Sequence, residues 1–407
     1  MNIETVPIES ISPDPANVMT HPERNLETIK SSLRRFGQQH PIVVDADGII
    51  RAGNGRHAAA KALGWTEINI VRTNLKGSEA TAFSVADNRT AELAEWNDDG
   101  LYAILKAMEA EGIPHIDVGF TVDEFKALEP ETVGLTDPDE VPAPPTAPKT
   151  KPGDLWIMGE HRLLCGDSTD PDQVARLMNG EKAGLMNTDP PYGVVYANDD
   201  RPNPGVAKPR VANDDLNDER LQAFLESAFR PAKDLALKNN AAWYLWHAHL
   251  TQGYFAAAAA AADVILHRQI IWIKPVLLLG RGQYHWKHEP CFMGWVRGNR
   301  PPDYGIGGGE RNQTTVWVVG SIAHAERKEF NHSTPKPVGI FTIPIVKHLI
   351  AGEIAYDPFI GTGPQVVAAE QLNRRCFGME LEPSYVEVAV NRWEKFTGKT
   401  AKLETNL

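Results

Sequence analysis

Residues 353–380 read EIAYDPFIGTGPQVVAAEQLNRRCFGME, and this stretch decides the fold. A short β-type run leads to glycines at Gly361 and Gly363. A helical stretch follows, and then a second apolar run that ends on Glu380. Strand, glycine turn, helix and strand in this order form the βαβ unit of an open parallel sheet. An acidic residue about 20 positions beyond the turn is the one that hydrogen-bonds ribose hydroxyls in Rossmann-type sites. Here Gly361 and Glu380 are 19 apart. The expectation is an α/β protein with a Rossmann-like, doubly wound sheet and a ligand at the carboxyl ends of its strands.

A second strand end lies upstream. Ala183 to Thr188 (AGLMNT) is a short apolar run that stops at Asp189-Pro190-Pro191-Tyr192-Gly193. Two successive prolines cannot continue a central strand, so this motif is expected at the strand's end, where α/β sheets place their sites.

The rest of the chain divides around Asp137 to Pro152, which carries six prolines in sixteen residues and reads as an inter-domain linker. The 407 residues therefore hold a small domain (1–130), a linker (131–152) and a larger domain (153–403). The net charge of −12 argues against a chain coated in nucleic acid, but its distribution is uneven. Residues 77–130 alone carry 12 acidic and 3 basic side chains, while residues 267–300 carry six basic residues and one Glu. Cys165, Cys291 and Cys376 are too far apart for a local metal pair or disulfide framework. No basic start followed by an apolar run opens the sequence, and no apolar run is long enough to span a membrane, so a cytoplasmic location without membrane contact is expected.

In the small domain, Asn25 to Phe36 has helical spacing and stops at Gly37. Pro41 to Val44 and Ile49-Ile50 flank the turn signal Asp47-Gly48. Gly53-Asn54-Gly55-Arg56-His57 then opens another helix, a plausible anion site set beside the plainer reading of a turn with a solvated Arg56. This order, with FGQQHPIVVDADGIIRAGNGRHAAAKALGW and the later ADNRTAELAEW, resembles the small α+β N-terminal domain of ParB-type partition proteins. Those proteins usually carry an acidic residue and two arginines in the glycine turn. The turn here departs from that pattern, so nucleotide hydrolysis does not carry over and nucleotide binding stays open.

The larger domain resembles the β group of amino-group DNA methyltransferases, which use S-adenosylmethionine. DPPY at 189–192 matches the catalytic motif, DPFIGTG at 357–363 the methionine pocket, GMELEPSY at 378–385 the ribose motif and HSTPKP at 332–337 an element completing the cofactor pocket. The resemblance implies catalytic roles for Asp189, Pro190, Pro191 and Tyr192. It implies cofactor contacts for Asp357, Phe359, Gly361, Gly363, Glu380, Lys336, Thr334 and Asp167. Pro364-Gln365 stands where the family usually has small hydroxyl residues. Methylating an exocyclic amine needs acceptors for the amino hydrogens, which Asp189 and the Pro190 carbonyl can supply, and an aromatic such as Tyr192 to stack on a flipped base. Asp at the first motif position favours adenine N6 over cytosine N4. A cytosine-N4 enzyme, or a ParB-like DNA- or nucleotide-binding protein with an inactive methyltransferase half, are the alternatives.

Double-stranded DNA is the implied partner. Arg281, Tyr284, His285, Trp286 and Lys287 fall in a glycine-flanked loop, with Arg297 and Arg300 further on, and mix phosphate-binding and stacking side chains. The target-recognition region is expected at about 275–331, and Val194 to Leu216 is read as a lid. Trp272 and Trp295 read as core, Cys291 as a packed thiol, and His285 with His288 as DNA-facing or solvated rather than zinc ligands; no metal is expected. Homodimerisation and a restriction-modification pairing stay open.

Overall fold

A computed structural model describes residues 2–94, 96–130, 132–193, 216, 218–278, 283–304, 314–320 and 336–404. The chain forms two units, Met1–Leu128 and Glu129–Leu407.

The first unit contains β1 (Ile3–Pro7), α1 (Glu23–Phe36), β2 (Ile42–Val44), β3 (Ile50–Ala52), α2 (Asn54–Ala62), β4 (Glu67–Arg72), α3 (Gly77–Glu92), α4 (Asp98–Ala110) and α5 (Val122–Ala127). Its sheet runs in the order β1-β4-β2-β3, with β2 parallel to β4 and the other pairs antiparallel. The α1 helix ends as the sequence predicts, with Gly37 at φ 68° donating to the Leu33 carbonyl. The β2–β3 hairpin is fixed by Asp45, whose Oδ1 accepts the amides of Asp47 and Ile49. Arg51 on β3 bridges Asp14 and Asp45 at 2.7 Å each, so neither buried carboxylate lacks a counter-charge. His57 is buried on Ile8, and the glycine turn borders a cavity of about 660 Å³ that Arg56, His21 and Asp87 also line.

The second unit contains β5 (Leu155–Met158), β6 (His161–Cys165), α6 (Pro171–Met178), β7 (Ala183–Thr188), α7 (Asp218–Pro231), β8 (Leu237–Trp246), α8 (Gln252–Ala261), β9 (Val264–Leu278), β10 (Trp286–Val296), β11 (Val316–Val318), α9 (Gly339–His348), β12 (Ile354–Asp357), α10 (Pro364–Gln371), β13 (Arg375–Glu380), α11 (Pro383–Thr397) and β14 (Lys402–Leu403). Among the described residues one sheet takes these ten strands, in the order β11-β9-β10-β8-β7-β12-β13-β6-β5-β14. Strands β8, β7, β12, β13 and β6 are mutually parallel, and antiparallel strands flank them on both sides. Every residue of β7 and β12 is buried, as expected for strands covered on both faces.

The α10 crossover carries the chain from β12 towards β13, whereas α7 carries it from β7 in the opposite direction, to β8. Right-handed crossovers running in opposite directions lie on opposite faces, so the sheet is doubly wound and its switch point falls between β12 and β7. Helix starts follow their sequence signals. Pro364 and Pro383 occupy first-turn positions of α10 and α11, and the Asp170 side chain caps α6 through the amides of Asp172 and Gln173.

The stretch 131–152, expected as a linker, differs from that expectation. It is laid along the second unit: Thr132 N donates to Gln371 O at 2.5 Å, Leu135 N to Phe396 O, and Lys149 N to the Glu387 carboxylate. Proline removes donors only at its own positions, and the intervening amides find acceptors on α10 and α11. Among the described residues no helix is long and apolar enough to cross a membrane.

Candidate active site

The carboxyl ends of β6, β13, β12 and β7 form a continuous edge. Gly166 N donates to Glu380 O, and the Thr188 hydroxyl donates to the Asp357 carboxylate at 2.7 Å. This edge brings the two decisive motifs together.

On β12 and β13 the backbone folds around a carboxylate. Glu380 Oε2 accepts the Gly361 amide at 3.0 Å and Oε1 the Glu382 amide at 2.9 Å. Burial pushes the Glu380 carboxyl up to about 7 against the pull of these amides. Gly363 caps α10 at φ 75°, and a Cβ there would stand 2.7 Å from the Ala389 Cβ. Only glycine fits the turn and its approach to α11. Asp357 Oδ1 also accepts the Phe359 amide, and burial pushes the Asp357 carboxyl up to about 8. Asp167, just past β6 on the same edge, turns its carboxylate back onto the Thr169 amide and hydroxyl.

At the end of β7, Asp189 and Tyr192 meet two residues from distant sequence. Asp189 Oδ2 lies 2.5 Å from Lys336 Nζ, and the Tyr192 hydroxyl lies 2.5 Å from Asp189 Oδ1 and 2.6 Å from Glu289 Oε1. Lys336 also donates to the Tyr192 hydroxyl at 2.9 Å and lies 2.6 Å from Glu289. Lys274 closes the group at 2.5 Å from Glu289 Oε2. Burial, then Asp189 and Glu289, push the Tyr192 phenol well above its usual value. Burial would lower the Lys336 ammonium, but the same two carboxylates raise it. Burial would likewise raise the Glu289 carboxyl, but the two ammonium groups hold it down.

Two expectations are changed by this geometry. Lys336, read with the cofactor pocket, sits on Asp189 and Tyr192 instead. Tyr192, read as an open stacking face, is 8% exposed with its hydroxyl tied, and its ring meets the Phe255 ring nearly edge-on at 6.2 Å. A buried phenol needs hydrogen-bond partners, and here it has three. Pro190 is buried and Pro191 half-buried beside them. Glu289 and Lys274 were missed by the sequence reading, where they counted only as charges in a basic stretch. Thr334 and Arg281, with most of the expected lid, lie outside the described residues.

The DNA-facing expectations separate into two places. Tyr284, His285, Trp286 and Lys287 are exposed at the start of β10, which pairs antiparallel with β8 and so begins at the carboxyl edge. Trp286 packs on the exposed His249 ring at 5.7 Å. Arg297 and Arg300 lie at or beyond the far end of β10, with Arg297 beside Asp263 at 3.4 Å. Ten residues of strand span roughly 30 Å, so these two arginines are not brought to the site. Trp272 is buried, Trp295 packs against the core, and burial pushes the Cys291 thiol up.

Residues 184–391 match the profile of the N6/N4 DNA methylase family, and residues 1–89 match that of the ParB N-terminal domain. The chain belongs to the DNA methylase family and carries a ParB-like domain in front of it. Among relatives, it is 33% identical to the type II methyltransferase M.Cfr9I of Citrobacter freundii over 26% of this chain and 33% of that protein. It is 24% identical to the type II methyltransferase M2.DpnII of Streptococcus pneumoniae over 56% of this chain and 87% of that one. The crystal structure of M1.HpyAVI aligns with a TM-score of 0.41 at 16% identity, covering 56% of this chain and 96% of that one. The chain spans about a third of the length of several curated relatives that it matches.

Proposed function

We propose that this protein transfers the methyl group of S-adenosylmethionine to an exocyclic amine of a base in DNA, and that the base is adenine, modified at N6. The observation that carries this reading is the meeting of Asp189 with the Glu380 glycine turn at one switch point, on adjacent parallel strands.

The residues present fit the cofactor. The Glu380 carboxylate accepts the Gly361 and Glu382 amides, with the Leu381 amide a further donor, and its remaining acceptor capacity suits a ribose hydroxyl. Glu380 and the Gly361–Gly363 turn would hold the nucleoside end, with Asp167 at the same edge. When bound, S-adenosylmethionine supplies an electrophilic methyl group. The chain's own part is positional: Asp189 and the Pro190 carbonyl accept the two amino hydrogens, which turns the nitrogen lone pair towards the cofactor side. The Tyr192 hydroxyl and Lys336 fix the Asp189 carboxylate from behind. Asp, rather than Ser, at position 189 supports adenine over cytosine.

Trp286, Tyr284 and Lys287 would meet the duplex beside the site. The test is to incubate the protein with unmethylated DNA and isotope-labelled cofactor and to identify the modified nucleoside by mass spectrometry. N6-methyladenine is expected; N4-methylcytosine would move the assignment to cytosine, and absence of label would remove it.

A further inference from the structure

Glu289 stands behind the catalytic residues with no part in the transfer described above. It reaches them from β10, 97 residues from Tyr192 in sequence. The charges around it alternate. Lys274 holds Glu289 Oε2 at 2.5 Å, Glu289 Oε1 holds Lys336 at 2.6 Å, and Lys336 holds Asp189 at 2.5 Å. Two ammonium groups and two carboxylates cancel, the condition under which buried charge is tolerated.

Exposure divides the four. The Asp189 side chain is 33% exposed, against 7% for Lys336, 13% for Glu289 and 11% for Lys274. Asp189 alone faces outward. Its two oxygens are each engaged once from within, by Tyr192 and by Lys336, so each keeps a lone pair for an incoming amine. An ammonium with no second partner would settle across both Asp189 oxygens and take those lone pairs. Glu289 prevents this by sharing Lys336 and the Tyr192 hydroxyl, and Lys274 fixes the Glu289 carboxylate by occupying its other oxygen.

We infer that Glu289, braced by Lys274, is a positioning residue for amine methylation: a fixed negative charge that shares Lys336 and Tyr192 with Asp189 and so keeps Asp189 available to the substrate amine. This inference rests on the methyltransferase reading. Both residues act through others and touch no substrate.

The test is a charge-balance cycle in the full chain, with turnover on DNA and affinity for S-adenosylmethionine measured for each protein. Glu289→Gln leaves two ammonium groups facing Asp189 alone, and kcat should fall about tenfold or more while cofactor affinity stays within about threefold. Adding Lys274→Met removes the surplus charge, and the double variant should recover at least about threefold over Glu289→Gln. If Glu289→Gln does not fold, the comparison runs between Lys274→Met, which keeps Glu289 on Lys336, and the double variant, which does not and should be the slower; a double variant as fast as Lys274→Met would overturn the inference. A Glu289→Gln enzyme within about twofold of wild type overturns the inference, as does a parallel loss of cofactor affinity or a double variant no faster than Glu289→Gln. A wild-type protein that methylates no base overturns the methyltransferase reading itself, and this is visible before any variant is made.

Discussion

The Thr188 hydroxyl donates a 2.7 Å hydrogen bond to the Asp357 carboxylate across 169 residues of sequence, tying the last residue of β7 to the last residue of β12. The Asp189–Tyr192 motif begins at the residue after Thr188, and the glycine turn begins at Asp357. This buried bond therefore sets their relative register. Thr188→Val keeps the shape and removes the donor. It should cost about 1–3 kcal/mol, lowering Tm by several degrees in thermal unfolding. An unchanged Tm would show that the bond contributes nothing.

Asp357 and Glu380 also give the protein a signed pH dependence. Burial raises them to about 8 and about 7 from ordinary values of 3.8 and 4.5, so between those limits the folded state binds more protons than the unfolded. Their stabilisation is complete at low pH and is lost as pH rises through the folded values. His247 and His348 act oppositely: burial holds both down at about 4, and their contribution is lost as pH falls below 6.5. The two effects offset each other in the acidic range. The net fall should emerge between pH 6.5 and 8, and Asp357→Asn should flatten it in calorimetric scans across that window.

Asp189→Ala and Glu380→Gln should fail in different ways. The first removes the outward acceptor and should lower methyl transfer by three orders of magnitude, as a rough guide, with cofactor affinity little changed. The second removes the charge and replaces one of the two carboxylate acceptors with a donor, and should weaken cofactor binding directly. Calorimetric titration beside a transfer assay separates them, and equal losses of affinity in both variants would contradict the division of roles.

Gly363→Ala combines a strained φ with a Cβ placed 2.7 Å from Ala389. A cost of about 1–3 kcal/mol is expected, together with weaker cofactor binding as the turn opens. Denaturant unfolding and cofactor titration on the same preparation would measure both.

On the proposed DNA face, Lys287→Ala should weaken binding to any sequence and lower the slope of log affinity against log salt by about one. Arg297→Ala and Arg300→Ala, at the other end of β10, should leave that slope intact. Filter binding over a salt series would show it, and a larger effect from the distant arginines would place the duplex elsewhere.

Local signals carried far in this sequence. The glycine turn, the 19-residue interval to Glu380 and the prolines after Thr188 each state a backbone requirement that the structure meets. The helix stop at Gly37 does the same. What stayed hidden depended on pairing between distant strands. Glu289 reaches Tyr192 only because β10 lies antiparallel to β8, and no spacing rule links positions 97 apart. Lys336 was tied to the cofactor because its motif closes that pocket by resemblance, while its direction of approach is a property of the fold. The linker misread had a compositional cause: proline content reports missing donors and says nothing of acceptors on the surface beside it.

The strand order also governs how the molecule can be made. β12 and β13 occupy the middle of the sheet, between β7 and β6, yet they are synthesised last among the five parallel strands. A nascent chain that has passed Thr188 holds two apolar strands whose inner neighbours, at Ile354 and Arg375, have yet to be translated. Until Glu380 emerges, Leu163, Leu164, Leu185 and Met186 have no completed sheet to bury them, and the facing edges of β6 and β7 stay open to other chains. The sheet therefore closes from its flanks inward, and the insertion that completes the core also brings Asp189 and the Glu380 turn to one edge.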